Sequence, residues 1–259
     1  MMSLIEQCRL MDEQDTQQLY VMLDSLHVPN PISHWCEQEW VSQLRPLYYQ
    51  TPLESMLKAS PWLCHLATSK LAEIERWIDE QSVTQWGWLY LSRWTWHQQI
   101  THWHDHLRIM IDGQLRAVRL QDPRVLSLWL TEQEPELWQG LLAPVAALQL
   151  PGQPVAQRPV QCLPVANDLP WLLPAKLSDA WHHSPFGIKV AASNLEIGLW
   201  EEYPQLAELV YQAGGEIAEP LSAWLRTQIE QGKSVRCVTL DDVIQWARTR
   251  YPTNKESLS

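Results

Sequence analysis

Phenylalanine is nearly missing from this sequence, with one residue against sixteen tryptophans in a chain of 259. Basic residues are also scarce: 19 Lys and Arg face 30 Asp and Glu, for a formal net charge of -11. Binding to phosphate backbones draws on Lys and Arg gathered on one face, so nucleic acid is not expected as a partner. No apolar run nears the roughly 20 residues of a membrane-spanning helix, since the longest candidate, 141–148, is broken by Pro144. The opening residues, Met1 to Cys8, lack the basic and apolar regions of a secretory signal. A cytoplasmic location without membrane insertion is expected. Cys8, Cys36, Cys64, Cys162 and Cys237 are odd in number, widely spaced and without any CxxC, which argues against a disulfide framework or a zinc ribbon. The nine glycines form no GxGxxG loop and no GxSxG elbow. Gly232-Lys233-Ser234 looks like the end of a phosphate loop, but it follows a helix and Thr227 stands where the first glycine belongs.

What is present is globular in kind. Apolar residues make up 46% and charged residues 19%, far from the signature of disorder. Between Leu19 and Leu130 short apolar runs alternate with amphipathic stretches, as in an α/β layer structure. Leu19–Leu23 reads as a strand ending at Asp24, 62–66 as a second strand introduced by Pro61, and 86–91 as a third. Ser69 is expected to cap a helix with Leu71, Ile74 and Ile78 on one face, and Ser92 to cap another with Trp96, Ile100, Trp103 and Leu107 as its buried stripe. A turn at Asp112-Gly113 leads into a fourth strand, 115–121. Asp122 and Pro123 then open a helix, with Asp as N-cap and Pro preset at the first helical position. Thr131 to Glu134 reads as a capping box for a short helix reaching about Gly140.

Seven prolines between Pro144 and Pro174 exclude continuous helix or a central strand. Helical periods resume later, ending at Gly214-Gly215, opening at Pro220 and capped at Thr239, and 253–259 is expected to fray. The expected fold is therefore α/β, or mixed α+β. Residues 1–143 form a lobe with a mostly parallel or mixed sheet flanked by helices, 144–174 a proline-rich linker or extended wrap, and 175–259 a small all-helical lobe.

Chemical candidates are few. His102 and His106 stand four apart on a helix, as zinc ligands can, yet no third ligand motif accompanies them, and a solvated face is expected instead. His182-His183-Ser184 could offer base and nucleophile, but neighbours in sequence point different ways. The pairs Glu201-Glu202 and Asp241-Asp242 are assigned to helix starts, where negative charge suits the dipole. Asp24 and Asp122, each just after a strand, are the best carboxylates for an enzyme of this class, although the N-cap role already accounts for Asp122. No cofactor, metal or catalytic set is expected.

Five segments taken in order carry a resemblance: 19–24, 60–63, Trp86-Gly87-Trp88-Leu89 with Ser92, His106-Leu107-Arg108, and 119–126. Over about residues 17–142 they are similar to the uncharacterised-domain family of type VI secretion effector chaperones, also called adaptors of the Tap or TEC type. That family usually carries an aromatic just before Asp-Pro-Arg, where this chain has Arg119-Leu120-Gln121. The resemblance implies a cytosolic, non-enzymatic protein that binds a cognate secreted toxin and helps load it onto the VgrG spike. It marks Asp24, Pro61, Trp86, Gly87, Arg108, Arg119, Asp122, Pro123 and Arg124 as motif residues with a structural role. Selectivity for the toxin is then expected in the helical lobe, at Trp200, Tyr203, Tyr211, Trp224 and Trp246, because aromatic residues dominate binding hot spots. Two rival readings are an α/β enzyme using Asp24 or Asp122 and an immunity protein for the same toxin.

Overall fold

The computed structural model describes residues 2–11, 16–165 and 168–252, so the fray expected at 253–259 lies outside the described residues. Two compact units divide at Ser178 and Asp179. The first holds α1 (Leu4–Arg9), β1 (Gln18–Asp24), α2 (Pro31–Glu37), β2 (Val41–Pro46), β3 (Pro61–Leu66), α3 (Leu71–Glu80), β4 (Gly87–Ser92), α4 (Trp96–Asp105), β5 (Arg108–Ile111), β6 (Gln114–Ala117), α5 (Pro123–Thr131), α6 (Pro135–Gln139), β7 (Ala147–Gln149) and β8 (Ala156–Gln157). After α7 (Ala175–His183) the second carries α8 (Pro185–Glu202), α9 (Pro204–Gly214), α10 (Ala218–Glu230) and α11 (Leu240–Arg250).

Six strands form one sheet in the order β2-β3-β1-β4-β7-β8, and every pairing is antiparallel, which corrects the expected parallel or mixed sheet. Continuous apolar runs suggest parallel strands because such strands are usually covered on both faces. Here β1 is covered on both faces within an antiparallel sheet. Leu19, Val21 and Leu23 join one core with Leu89, Leu91, Trp35 and Trp86. The alternate residue Tyr20 stacks on Tyr90 at 5.3 Å, and Trp88 and Trp103 meet Tyr90 at 5.1 and 5.9 Å. The period of two thus sorts aromatics onto both sides of the sheet.

Several local expectations are corrected. Ser92 stays in β4, and Thr95 caps α4 in a capping box with Gln98. Ser69 lies in a short 3-10 turn, and Lys70 precedes α3. Thr131 ends α5, its hydroxyl donating to the Ser127 carbonyl at 2.9 Å, and α6 opens at Pro135. The stretch 115–121 is not one long strand: β5 and β6 form a separate hairpin whose turn residues Asp112 and Gly113 have φ of 49° and 76°, the left-handed pair that a two-residue turn of this kind demands. Residues 144–174 belong to the first unit, where β7 pairs with β4, β8 pairs with β7, and Cys162, Trp171 and Leu173 are buried. Prolines at 151 and 154 fall between these strands, so neither interrupts a ladder.

In the second unit Ile188, Ala192, Leu199, Val210, Leu221, Leu225, Val243 and Ala247 form the core. Gly215 ends α9 in the left-handed conformation, and Thr239 caps α11 with Asp242 reaching back. Glu201 and Glu202 lie at the last turn of α8 and not at a helix start, so the favourable dipole assigned to them does not apply, whereas Asp241 and Asp242 do sit in a first turn.

Candidate functional site

At the end of β1, Asp24 stands opposite Pro61, and its amide donates to the Trp86 carbonyl at 2.9 Å. The next residue on that neighbouring strand must be glycine. Gly87 has φ of 138°, and a Cβ there would lie 2.0 Å from the Met22 carbonyl oxygen, so any side chain would force the two central strands apart. Asp24 Oδ1 accepts from the Leu26 amide at 2.9 Å, and Oδ2 from Arg119 Nη2 at 3.1 Å. Asp122 caps α5: its Oδ1 accepts from the Arg124 amide at 3.1 Å and from Arg124 Nε at 2.9 Å, while Oδ2 accepts from Arg124 Nη2 at 2.7 Å. Arg119 Nε lies 3.8 Å from the same Oδ2. Two carboxylates and two guanidiniums therefore close a charge-balanced clasp, with the bidentate fork as its strongest part.

Asp122 is 1% exposed, so its charge is held by these donors instead of by water. The hydrogen bond to Asp122 holds the Arg124 guanidinium above its usual range. Tyr48 lies in the same field: burial raises its phenol, Arg119 opposes the rise and Asp24 adds to it. Beneath it, Ser60 Oγ accepts from the Tyr48 amide at 3.0 Å and donates to the Pro61 carbonyl at 2.8 Å. Sequence reasoning missed Tyr48, which carries no local pattern. Arg108, exposed at the start of β5, stays outside the clasp. All four oxygens of Asp24 and Asp122 accept hydrogen bonds, so the clasp ties the end of β1 to the start of α5.

The side of α4 that carries Gln99, His102 and His106 points inward while His97, Gln98, Thr101 and Asp105 are exposed, which corrects the solvated face expected for the two histidines. His102 and His106 are 7% and 5% exposed and stack at 4.1 Å between ring centroids. His102 Nε2 donates to the Leu141 carbonyl at 2.9 Å and His106 Nδ1 to the His102 carbonyl at 2.8 Å. Burial, with His106 adding to it, lowers His102 to about 3, and burial lowers His106 as well. Both rings are therefore neutral near pH 7. Beside them, Tyr90 donates to Gln99 Oε1 at 3.0 Å, Gln99 to Ser92 Oγ at 2.6 Å and Trp103 to the Tyr90 hydroxyl at 3.0 Å. An open cleft of about 600 Å³ runs past Trp94, His102, Asp105, His106, Val165 and Leu169. No group of three metal-ligating side chains occurs among the described residues.

In the second unit the five aromatics separate. Trp246 is 8% exposed and packs on half-buried Trp224 at 5.7 Å, so this pair is part of the helical core. Trp200, Tyr203 and Tyr211 are exposed by 36%, 36% and 48%, and Trp200 meets Tyr211 edge-on at 6.2 Å. Ser184, once a nucleophile candidate, caps α8 through the Gly187 amide at 2.9 Å and donates to the Trp181 carbonyl at 2.8 Å.

Among the described residues no helix is long and apolar enough to cross a membrane. No curated protein and no solved structure matches the chain. Residues 19–140 match the family model described as "Domain of unknown function (DUF4123)", a segment that contains every member of the clasp and stops short of β7, β8 and the second unit.

Proposed function

We propose that the chain is a cytoplasmic, non-catalytic adaptor that binds a cognate type VI secretion toxin and helps load it onto the VgrG spike. The observation that carries this reading is the match of residues 19–140 to the domain model, over the segment whose motifs resemble the effector adaptors. Two features support it. The strand-end carboxylates, which an enzyme of this class would use, are each held by a guanidinium. Exposed aromatics gather on the second unit, outside the matched segment. In this mechanism the first unit is a rigid base, and the second supplies apolar and aromatic surface that covers an aggregation-prone segment of the toxin until it is handed to the spike.

Co-expression with the toxin gene beside it should raise the yield of soluble toxin and give a complex that co-purifies. Unchanged yield with no complex would sink the reading. Protection of toxin-exposed cells by this chain alone would point to an immunity protein instead.

A further inference from the structure

Between residues 190 and 225 the chain holds six glutamates, at 196, 201, 202, 208, 216 and 219, and no Lys or Arg. This segment includes the C-terminal half of α8, all of α9 and the first turns of α10. Trp200 and Glu201 stand three and four residues after Ile197 on α8, so each neighbours it on the helix surface, and all three are exposed. On α9, Glu208 and Tyr211 stand three apart and are also exposed. The edge-on contact of Trp200 with Tyr211 joins the two helix faces into one surface. Among the described residues, no basic side chain pairs with Glu201, Glu202 or Glu208, and the hydrogen bond to Glu208 comes from Gln212 Nε2 at 2.8 Å.

An exposed aromatic surface ringed by unpaired carboxylates has a definite complement. A cation stacks favourably on an indole face, unpaired acids attract it over a Debye length, and the apolar edge at Ile197 accepts an aliphatic side chain. We infer that the Trp200–Tyr211 face binds a basic amphipathic segment of a partner protein, laying an Arg or Lys of that segment on Trp200 beside Glu201 and Glu208. This rests on the adaptor reading and names the chemistry of the cargo segment that the second unit would take. The same negative field disfavours an anionic lipid surface.

The test uses the full chain and a dye-labelled amphipathic peptide of Leu, Lys and Arg, with a control in which Glu replaces every Lys and Arg, read by fluorescence anisotropy at low and high salt. The basic peptide should bind and the acidic one should not. Trp200→Ala should weaken binding by about tenfold while leaving the melting temperature in place. Exchanging Glu201, Glu202 and Glu208 for Gln should weaken it similarly and flatten its salt dependence. Glu37→Gln with Glu80→Gln, exposed acids of the first unit, should leave binding unchanged. The inference is overturned if the basic peptide does not bind, if both peptides bind alike, if Trp200→Ala binds as tightly as the parent, or if the first-unit exchange costs as much. Should the toxin still co-purify in any of these cases, the adaptor reading stands and only the docking chemistry falls.

Discussion

In the first unit Trp35, Trp86, Trp88 and Trp103 are each 1% exposed or less, whereas in the second Trp246 keeps 8% and Trp200 36%. Sheet geometry accounts for the contrast. Covered on both faces, a six-stranded sheet gives two interiors, and each accepts aromatics from alternate strand positions. A small helical lobe has one interior with a narrow supply of inward positions, and large side chains beyond that supply remain at the surface. Four indoles are thus locked inside the first unit, whereas Trp200 lies at the surface of the second, where the proposed adaptor role would use it.

The sharpest way to break this comparison is Trp103→Ala, which removes a fully buried indole and the donor to the Tyr90 hydroxyl. Chemical denaturation should show a loss of about 4 kcal/mol in the first unit's transition, and a loss below about 1 kcal/mol would refute the scaffold assignment.

A smaller effect should appear on acidification. His102 titrates near 3 in the folded protein and near 6.5 when unfolded, so its stabilising effect is complete above 6.5 and is lost as pH falls toward 3. At pH 5 the loss from His102 is about 2 kcal/mol. Melting temperature followed from pH 7 to pH 5 should fall for the parent chain and fall less for His102→Gln, which cannot titrate. Equal slopes for the two would contradict the buried neutral pair.

Asp122→Asn should cost least, about 1 kcal/mol, because Asn still caps α5 and the half-exposed Arg124 can turn to water. A melting temperature left unchanged together with abolished toxin binding would move Asp122 from the scaffold to the working surface and erase the distinction between the units.

Much of the first unit is legible where the side-chain period is strict. β1, β3 and β4 are visible as apolar runs, and Asp122-Pro123 fixes the start of α5 through cap chemistry that is entirely local. Strand direction is not legible in this way, since Leu19–Leu23 would read alike in either sheet. β7 and β8 are hidden because three and two residues are too short to show alternation among prolines. The inner face of α4 is misread from composition: Gln99, His102 and His106 are polar, and it is the groups that meet them, Tyr90 and Ser92 for Gln99, the Leu141 carbonyl for His102 and the His102 carbonyl for His106, that permit their burial. α8 carries Ile188, Val190, Leu195, Ile197 and Leu199 on several sides, so no stripe betrays it. Of the clasp, both aspartates and both arginines stand out in sequence, but their convergence depends on residues 95 apart.

The pairing of β7 with β4 bears on how the protein is made. Leu89 and Leu91 on β4 meet their partners Gln149 and Ala147 only after nearly sixty more residues have followed, and the amide of Leu4 bonds Gln149 Oε1 at 2.8 Å across 145 positions. A nascent chain that has reached residue 140 therefore carries a bare apolar strand edge, prone to stray association, and a first helix still without its Gln149 partner. The segment that matches the domain model is thus shorter than the segment that can close its own sheet, and ribosomes must deliver β7 and β8 before the first unit is safe from its neighbours.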